Sequence, residues 1–256
     1  MTQSMYPNIP VLQQDLIGSA TGLYPSKVRG FVFGRAPVVQ NVKVDVWEGP
    51  TGTYVFPVAA QQMRLVSSSV NDTSAGTGIQ RVHIHYLDTN YADQNEQIYL
   101  NGTTPVLTVA TNILRINSLH AIQVGTNNVS AGNISLTNTA GTVTYSYIAL
   151  GYNTSRQAIY TVPAGVTGYI SHWQGSSGSA NNHFCQIELR ATTHDGNLWP
   201  GVFLVQDALG TQNGGAAIDF PIPIPIPART DVKLSAISDA GNANVIALGA
   251  IMGWFE

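Results

Sequence analysis

Residues 83–85 read His-Ile-His. Two imidazoles one residue apart on a strand project from the same face, which is one way a β protein presents a pair of metal ligands. A working site needs a third ligand, and the positions where a Glu would be useful hold Leu87, Asp88, Thr89 and Asn90. The turn N-L-W-P-G at 197–201 runs into Val202, Phe203 and Leu204, with no histidine to complete the set. The pair is therefore expected on the polar side of a half-buried strand, opposite Val82, Ile84 and Tyr86. Cys185 has His172, His183 and His194 in its part of the chain. It alternates with Ile187, Leu189 and Ala191, so it is expected in a core, away from any activating base. The acids Asp88, Asp93 and Glu96 cluster, and Asp195, Asp207 and Asp219 are scattered. Hydrolysis of a glycosidic bond needs a facing pair of carboxylates, but these acids sit beside turns and are expected to cap loops. Trp173 and Trp199 have the ring area for a sugar-stacking platform, although Trp173 alternates with Ser171 and Gly175 and fits the closed end of a sandwich equally well. No G-x-S-x-G, phosphate-loop or H-E-x-x-H motif occurs. No catalytic residue, cofactor or metal is expected.

The composition narrows the classes further. Charged residues make up 10% of the 256, against about 25% in ordinary globular domains, while apolar residues reach 44%. Such a chain has core material for one large or two ordinary domains, and it is not the composition of a disordered one. With 11 basic residues, no basic block and a net charge of −3, it lacks the footprint that neutralises phosphates, so direct nucleic-acid binding is not expected. No apolar run approaches a membrane span. The opening M-T-Q-S-M-Y-P-N-I-P lacks the regions of a signal peptide, and one cysteine excludes an internal disulfide framework. Synthesis in a host cytoplasm is the expectation.

The elements that would carry these residues read as strands. Residues 27–35 (K-V-R-G-F-V-F-G-R) place Phe31 and Phe33 on one side with Arg29 and Arg35, and Val28, Gly30, Val32 and Gly34 on the other. In 38–47, Val42, Val44 and Val46 share a face. Short apolar runs then follow at near-regular spacing, separated by turn chemistry such as N-D-T-S-A-G-T-G at 71–78 and N-G at 101–102. No amphipathic helical stretch intervenes, so the class is all-β and antiparallel. The chain also restarts: Tyr54 and Pro57 recur at the same spacing as Tyr160 and Pro163, and the ends I-A-L-G-Y-N (148–153) and A-I-M-G-W-F (250–255) match in kind. The expected organisation is an N-terminal docking arm with the first strand or strands (1–45), then tandem jelly-roll-like β-sandwich units at 46–153 and 154–256. In the arm, Tyr6, Ile9, Leu12, Leu16 and Tyr24 are apolar residues suited to docking, and Phe31, Phe33 and Arg35 extend that set as candidate assembly contacts.

The stretch F-P-I-P-I-P-I-P at 220–227 has a direct physical reading. Alternate residues of a strand point their N–H groups the same way, so Pro221, Pro223, Pro225 and Pro227 strip one edge of donors. Ile222, Ile224 and Ile226 keep theirs on the other edge and share a face expected to be core. The segment should be a sheet edge closed to foreign strands.

The segments F-V-F-G-R-A-P (31–37), V-W-E-G (46–49), Y-V-F-P (54–57), V-S-S-S-V-N-D-T-S-A-G-T-G (66–78), L-N-G-T-T-P-V (100–106), I-L-R-I-N (113–117) and I-Y-T-V-P-A-G-V-T-G-Y-I-S (159–171) resemble, in this order, a group of tailed-bacteriophage virion structural proteins common in marine phages. Ala36 stands where that pattern leads one to expect Asn. The motifs are turns and strand starts, so the resemblance implies fold and particle membership and no chemistry. It implies a virion location, other virion proteins (capsid, neck or tail) as partners, and self-association. The contrasting expectation is a carbohydrate-binding or host-attachment module using Trp173 and Trp199.

Overall fold

The computed structural model describes residues 28–38, 40–179, 183–192, 202–239 and 245–256. Every regular element among them is a strand, and every strand pairing is antiparallel. The apolar and small alternation from Val28 makes β1 (Val28–Val38), and the valine run makes the short β2 (Val44–Asp45). The central stretch forms β3 (Met63–Ser67), β4 (Ile79–Asp88), β5 (Asp93–Tyr99), β6 (Val106–Leu107), β7 (Ile113–Val124), β8 (Ile134–Asn138) and β9 (Thr144–Ile148). The rest forms β10 (Ile159–Thr161), β11 (Gly168–Gly178), β12 (Phe184–Thr192), β13 (Phe203–Gln212), β14 (Gly214–Ile226), β15 (Asp231–Ser238) and β16 (Val245–Phe255).

These strands build two sandwiches, and the chain path through them is nested. The outer unit has one sheet in the order β1-β16-β11-β14 and a facing sheet in the order β10-β15-β12-β13, with β2 also on β15. Along β15, Asp45 lies beside Ser235 and Ile159 beside Lys233, so β2 and β10 are two halves of one interrupted strand. Counting those halves together gives eight strands. The first pairs with the eighth, the second with the seventh, the third with the sixth and the fourth with the fifth. This is the rolled ribbon of a jelly roll. The inner unit, β3–β9, packs the sheet β6-β3-β8-β9 against β5-β4-β7. It leaves and returns through the break in that second strand. The two units have separate cores, one around Trp173, Ile187, Leu189, Leu234 and Ile251, the other around Met63, Leu65, Ile84, Ile113, Leu119 and Leu136.

Gly34 sets how closely β1 lies over the junction. A Cβ there would sit 2.0 Å from the Val46 carbonyl oxygen and 2.4 Å from the Ala158 nitrogen, so only glycine lets the strand cross where the inner unit departs. Beside it, the outgoing and returning chains run together, with Ala158 N–H bonded to the Val46 carbonyl and Glu48 N–H to that of Arg156. Arg35 and Arg156 both reach Glu48. Arg35, expected as an assembly contact, is thus engaged within its own chain.

The seam between the units is polar and buried. Arg115 on β7 donates Nε and Nη2 to the two carboxylate oxygens of Asp231 on β15, at 3.0 and 3.1 Å. Thr161 donates its hydroxyl to Asp231 at 2.6 Å, and the Asn117 amide pairs with the Thr161 backbone in both directions. Tyr91 (φ 61) occupies the left-handed region, costly for a bulky residue, and its ring lies beside Arg115 and Arg229. Bonds of this density across the seam fix the units relative to each other.

The proline strand meets its expectation with one correction. β14 ends its sheet, bonded to β11 alone among the described strands, as removal of donors from one side requires. Ile224 and Ile226 turn inward, but Ile222 is 85% exposed. The register explains it: Asp219 pairs with His172 and Ile224 with Ile170, so 220–223 stand opposite Ser171 alone. The bulge turns Ile222 out of the face that simple alternation assigns it.

Candidate functional site: an uncharged outer sheet face

The residues singled out for chemistry that the structure describes each have a definite place. His83 and His85 lie half-exposed on β4, opposite the buried Val82, Ile84 and Tyr86. His83 faces His120 of β7 across the strand pair, with ring centroids 5.0 Å apart. Burial, then the two neighbouring imidazoles, holds His120 below the usual imidazole range. His85 pairs instead with Asp93 at 2.7 Å. Among the described residues no group of three or more His, Cys, Asp or Glu is arranged to hold a metal ion. Asp88 accepts from the backbone N–H groups of Asn90 and Ala92, and Glu96 from those of Val109 and Ala110. These are loop caps. Asp219 bonds His172, while His194 and Asp195 lie outside the described residues.

Cys185 is buried in the outer unit's core, and burial pushes its thiol up to about 11. A shift of that size from 9.0 lowers the thiolate fraction at pH 8 by about 100-fold. Folded protein should therefore react with a disulfide reagent at least about 100-fold more slowly than urea-unfolded protein. Equal rates would contradict the buried placement.

Trp173 does not serve as a platform ring. Trp173 is 0% exposed within the outer core, and its indole N–H donates to Asp207 at 3.0 Å. Inward alternation on β11 puts the ring between the sheets, where no sugar reaches it. Trp199 lies outside the described residues, as do Tyr6, Ile9, Leu12, Leu16 and Tyr24.

The two remaining assembly candidates identify the surface with the strongest functional character. Phe31 and Phe33 point outward from β1, 55% and 36% exposed. The registers of β1, β16, β11 and β14 set their outward residues in rows across the sheet. Phe33, Ala250, Gln174 and Ala217 form one row, Phe31, Met252, His172 and Asp219 the next, and Arg35, Leu248, Ser176 and Gly215 the one on the other side. Among the described residues the face's two middle strands, β16 and β11, contribute no Asp, Glu, Lys or Arg to it. Arg35 and Asp219 stand on its two outer strands, each already bonded to Glu48 or His172. Between Phe33 and β14 lies a hollow of about 350 Å³, floored by Gly175, Ser176, Gly215, Ala217 and Gly249. Sequence alternation found the two phenylalanines. The hollow was hidden, because Gly, Ala and Ser signal a cavity only once register aligns them on one face.

No protein-family model and no curated protein matches the chain. Solved structures similar to it include those of infectious bursal disease virus, Gt and Gx strains, at 11% and 12% identity. They cover 90% of this chain and 72% and 76% of theirs, with TM-scores of 0.22 and 0.21. A likeness at that level carries no argument about this chain's fold or function.

Proposed function

We propose that this protein is a non-enzymatic structural component of a tailed-phage virion: a capsid decoration, a head-fibre base, or a neck or tail accessory. It self-associates through the outer face of the β1-β16-β11-β14 sheet, and its N-terminal arm docks it onto other virion proteins. The ordered resemblance of segments between 31 and 171 supports the phage assignment.

The observation that carries the assembly role is the row Phe33–Ala250–Gln174–Ala217, which sets an aromatic knob and a shallow hollow on one face at one level. A twofold contact must be self-complementary. An axis in the plane of the face and parallel to the strands lays β1 of one copy over β14 of the other, bringing each Phe33 over the opposing hollow. Its volume of about 350 Å³ exceeds the roughly 150 Å³ that accommodates a benzene ring. Four strands of about eleven residues present roughly 700 Å² at ordinary strand spacing, close to the roughly 800 Å² per partner of a standard stable interface. The proline edge of β14 meanwhile directs association to the face and away from strand addition.

Sedimentation velocity of the purified protein tests the contact. Wild type should dimerise or assemble further at about 10 μM, and Phe33→Asp or Ala217→Arg should raise the dissociation constant by about 100-fold or more while leaving thermal unfolding unchanged. A wild type still monomeric at about 100 μM would overturn self-association. Copy counting in purified particles tests the virion role: hundreds of copies mean decoration, a dozen or fewer mean the tail axis, and absence sinks the assignment.

A further inference from the structure

A second concave surface lies where the nested path brings the units together. It is a cleft of about 500 Å³, within the roughly 300–1,000 Å³ range of small-molecule sites. The outer unit lines it with Phe31, Tyr160 and Phe255, the latter two stacked with centroids 5.0 Å apart at 24°. The inner unit lines it with His85, Asp93 and Ser118. His85 and Asp93 are bonded through Nε2 and Oδ1 at 2.7 Å, which orients the pair and leaves the second carboxylate oxygen and Nδ1 for other partners. Among the described residues, the Ser118 hydroxyl and the Tyr160 phenol also have no hydrogen-bond partner. An apolar aromatic wall thus faces a wall of underused polar groups.

The geometry points to this cleft as a binding site for a neutral sugar ring. A pyranose offers a C–H face that packs on aromatic rings, and hydroxyls that donate to a carboxylate in charge-assisted bonds. Among the described residues no Lys or Arg lines the cleft, so phosphorylated and carboxylated ligands find no counter-charge there. The parallel Tyr160 and Phe255 rings form a wall, not the box that encloses a quaternary ammonium. The cleft shares Phe31 with the self-association face but none of the row that carries Phe33, so the monomeric Phe33→Asp variant retains it.

Saturation-transfer NMR on the full chain tests it, using the methyl glycosides of glucose, galactose, mannose and N-acetylglucosamine at about 10 mM, the scale of a weak site. At least one glycoside should receive saturation. Asp93→Ala and Phe31→Ala should each weaken its binding by about tenfold or more, with unchanged circular dichroism, whereas Val109→Ala, far out on an exposed loop, should not. Three results would overturn the proposal: no transfer to any of the four glycosides, transfer unaffected by both cleft variants, or displacement of the sugar by tetramethylammonium.

Discussion

Replacing Arg115 by leucine is expected to destabilise the folded protein by about 3–5 kcal/mol, the cost of leaving one member of a buried ion pair uncompensated. Both side chains are sealed, at 1% and 2% exposure. Four of the guanidinium's N–H groups are engaged: two go to Asp231, and Nη1 serves the carbonyls of Pro57 and Leu114 at 2.8 and 3.0 Å. Its plane also lies beside the Phe56 ring, 5.2 Å from the centroid. Leucine keeps some volume but strands the Asp231 carboxylate with the Thr161 hydroxyl as its remaining side-chain donor. Because Arg115 belongs to the inner unit and Asp231 to the outer, the effect should extend beyond stability. Urea unfolding should be one transition in the wild type and two in Arg115→Leu, as the sandwiches lose the bonds that make them cooperate. The double variant Arg115→Leu with Asp231→Leu should recover much of the loss, since an apolar pair of similar volume can replace a buried ion pair. A loss below about 1 kcal/mol in the single variant would mean the seam is wetter than its geometry indicates.

Trp173→Ala should cost a similar amount, about 3–5 kcal/mol, and lower the thermal midpoint by about 10 °C for a chain of this size. The ring fills the space between β11 and the facing sheet, and its indole N–H holds Asp207. Trp173→Phe should retain most of the packing and lose chiefly that bond, worth about 1.5–3 kcal/mol when the acceptor is charged. Calorimetry separates this role from a surface platform, because truncating an exposed platform ring changes stability little. A Trp173→Ala protein melting within a degree or two of wild type would return the ring to the surface.

Strand chemistry was readable from local pattern because it is local. Alternation located β1 and put Phe31 and Phe33 on one face, turn residues marked the breaks, and the proline repeat announced a blocked edge. Tyr160 and Tyr169 stack on Phe255 and Trp254. Alternation broke down where the bulge between β11 and β14 interrupts the register, and Ile222 came out exposed. It was also silent on direction: the period that puts Trp173 opposite Ser171 and Gly175 does not say which side faces the core, and the partner sheet decided that.

The chemistry-like residues followed the same division. His83 and His85 were correctly placed on a polar face, but their companions His120 and Asp93 come from neighbouring strands at distances only pairing sets. The seam and the cleft have no local signature at all. Both exist because β1 pairs with β16 across nearly the whole chain, and because one strand of the outer sandwich is split into β2 and β10. By itself the sequence determined the all-β class, the closed edge at β14, the shared face of Phe31 and Phe33 and the lack of any recognised catalytic motif, since each depends on side-chain type and local spacing. Tertiary structure alone decided the nesting of one sandwich in the other, the burial of Trp173, the hollow beside Phe33 and the Arg115–Asp231 lock. Each of those depends on which distant strands pair, and strand pairing is settled by the fit of whole faces, which no short run of residues records.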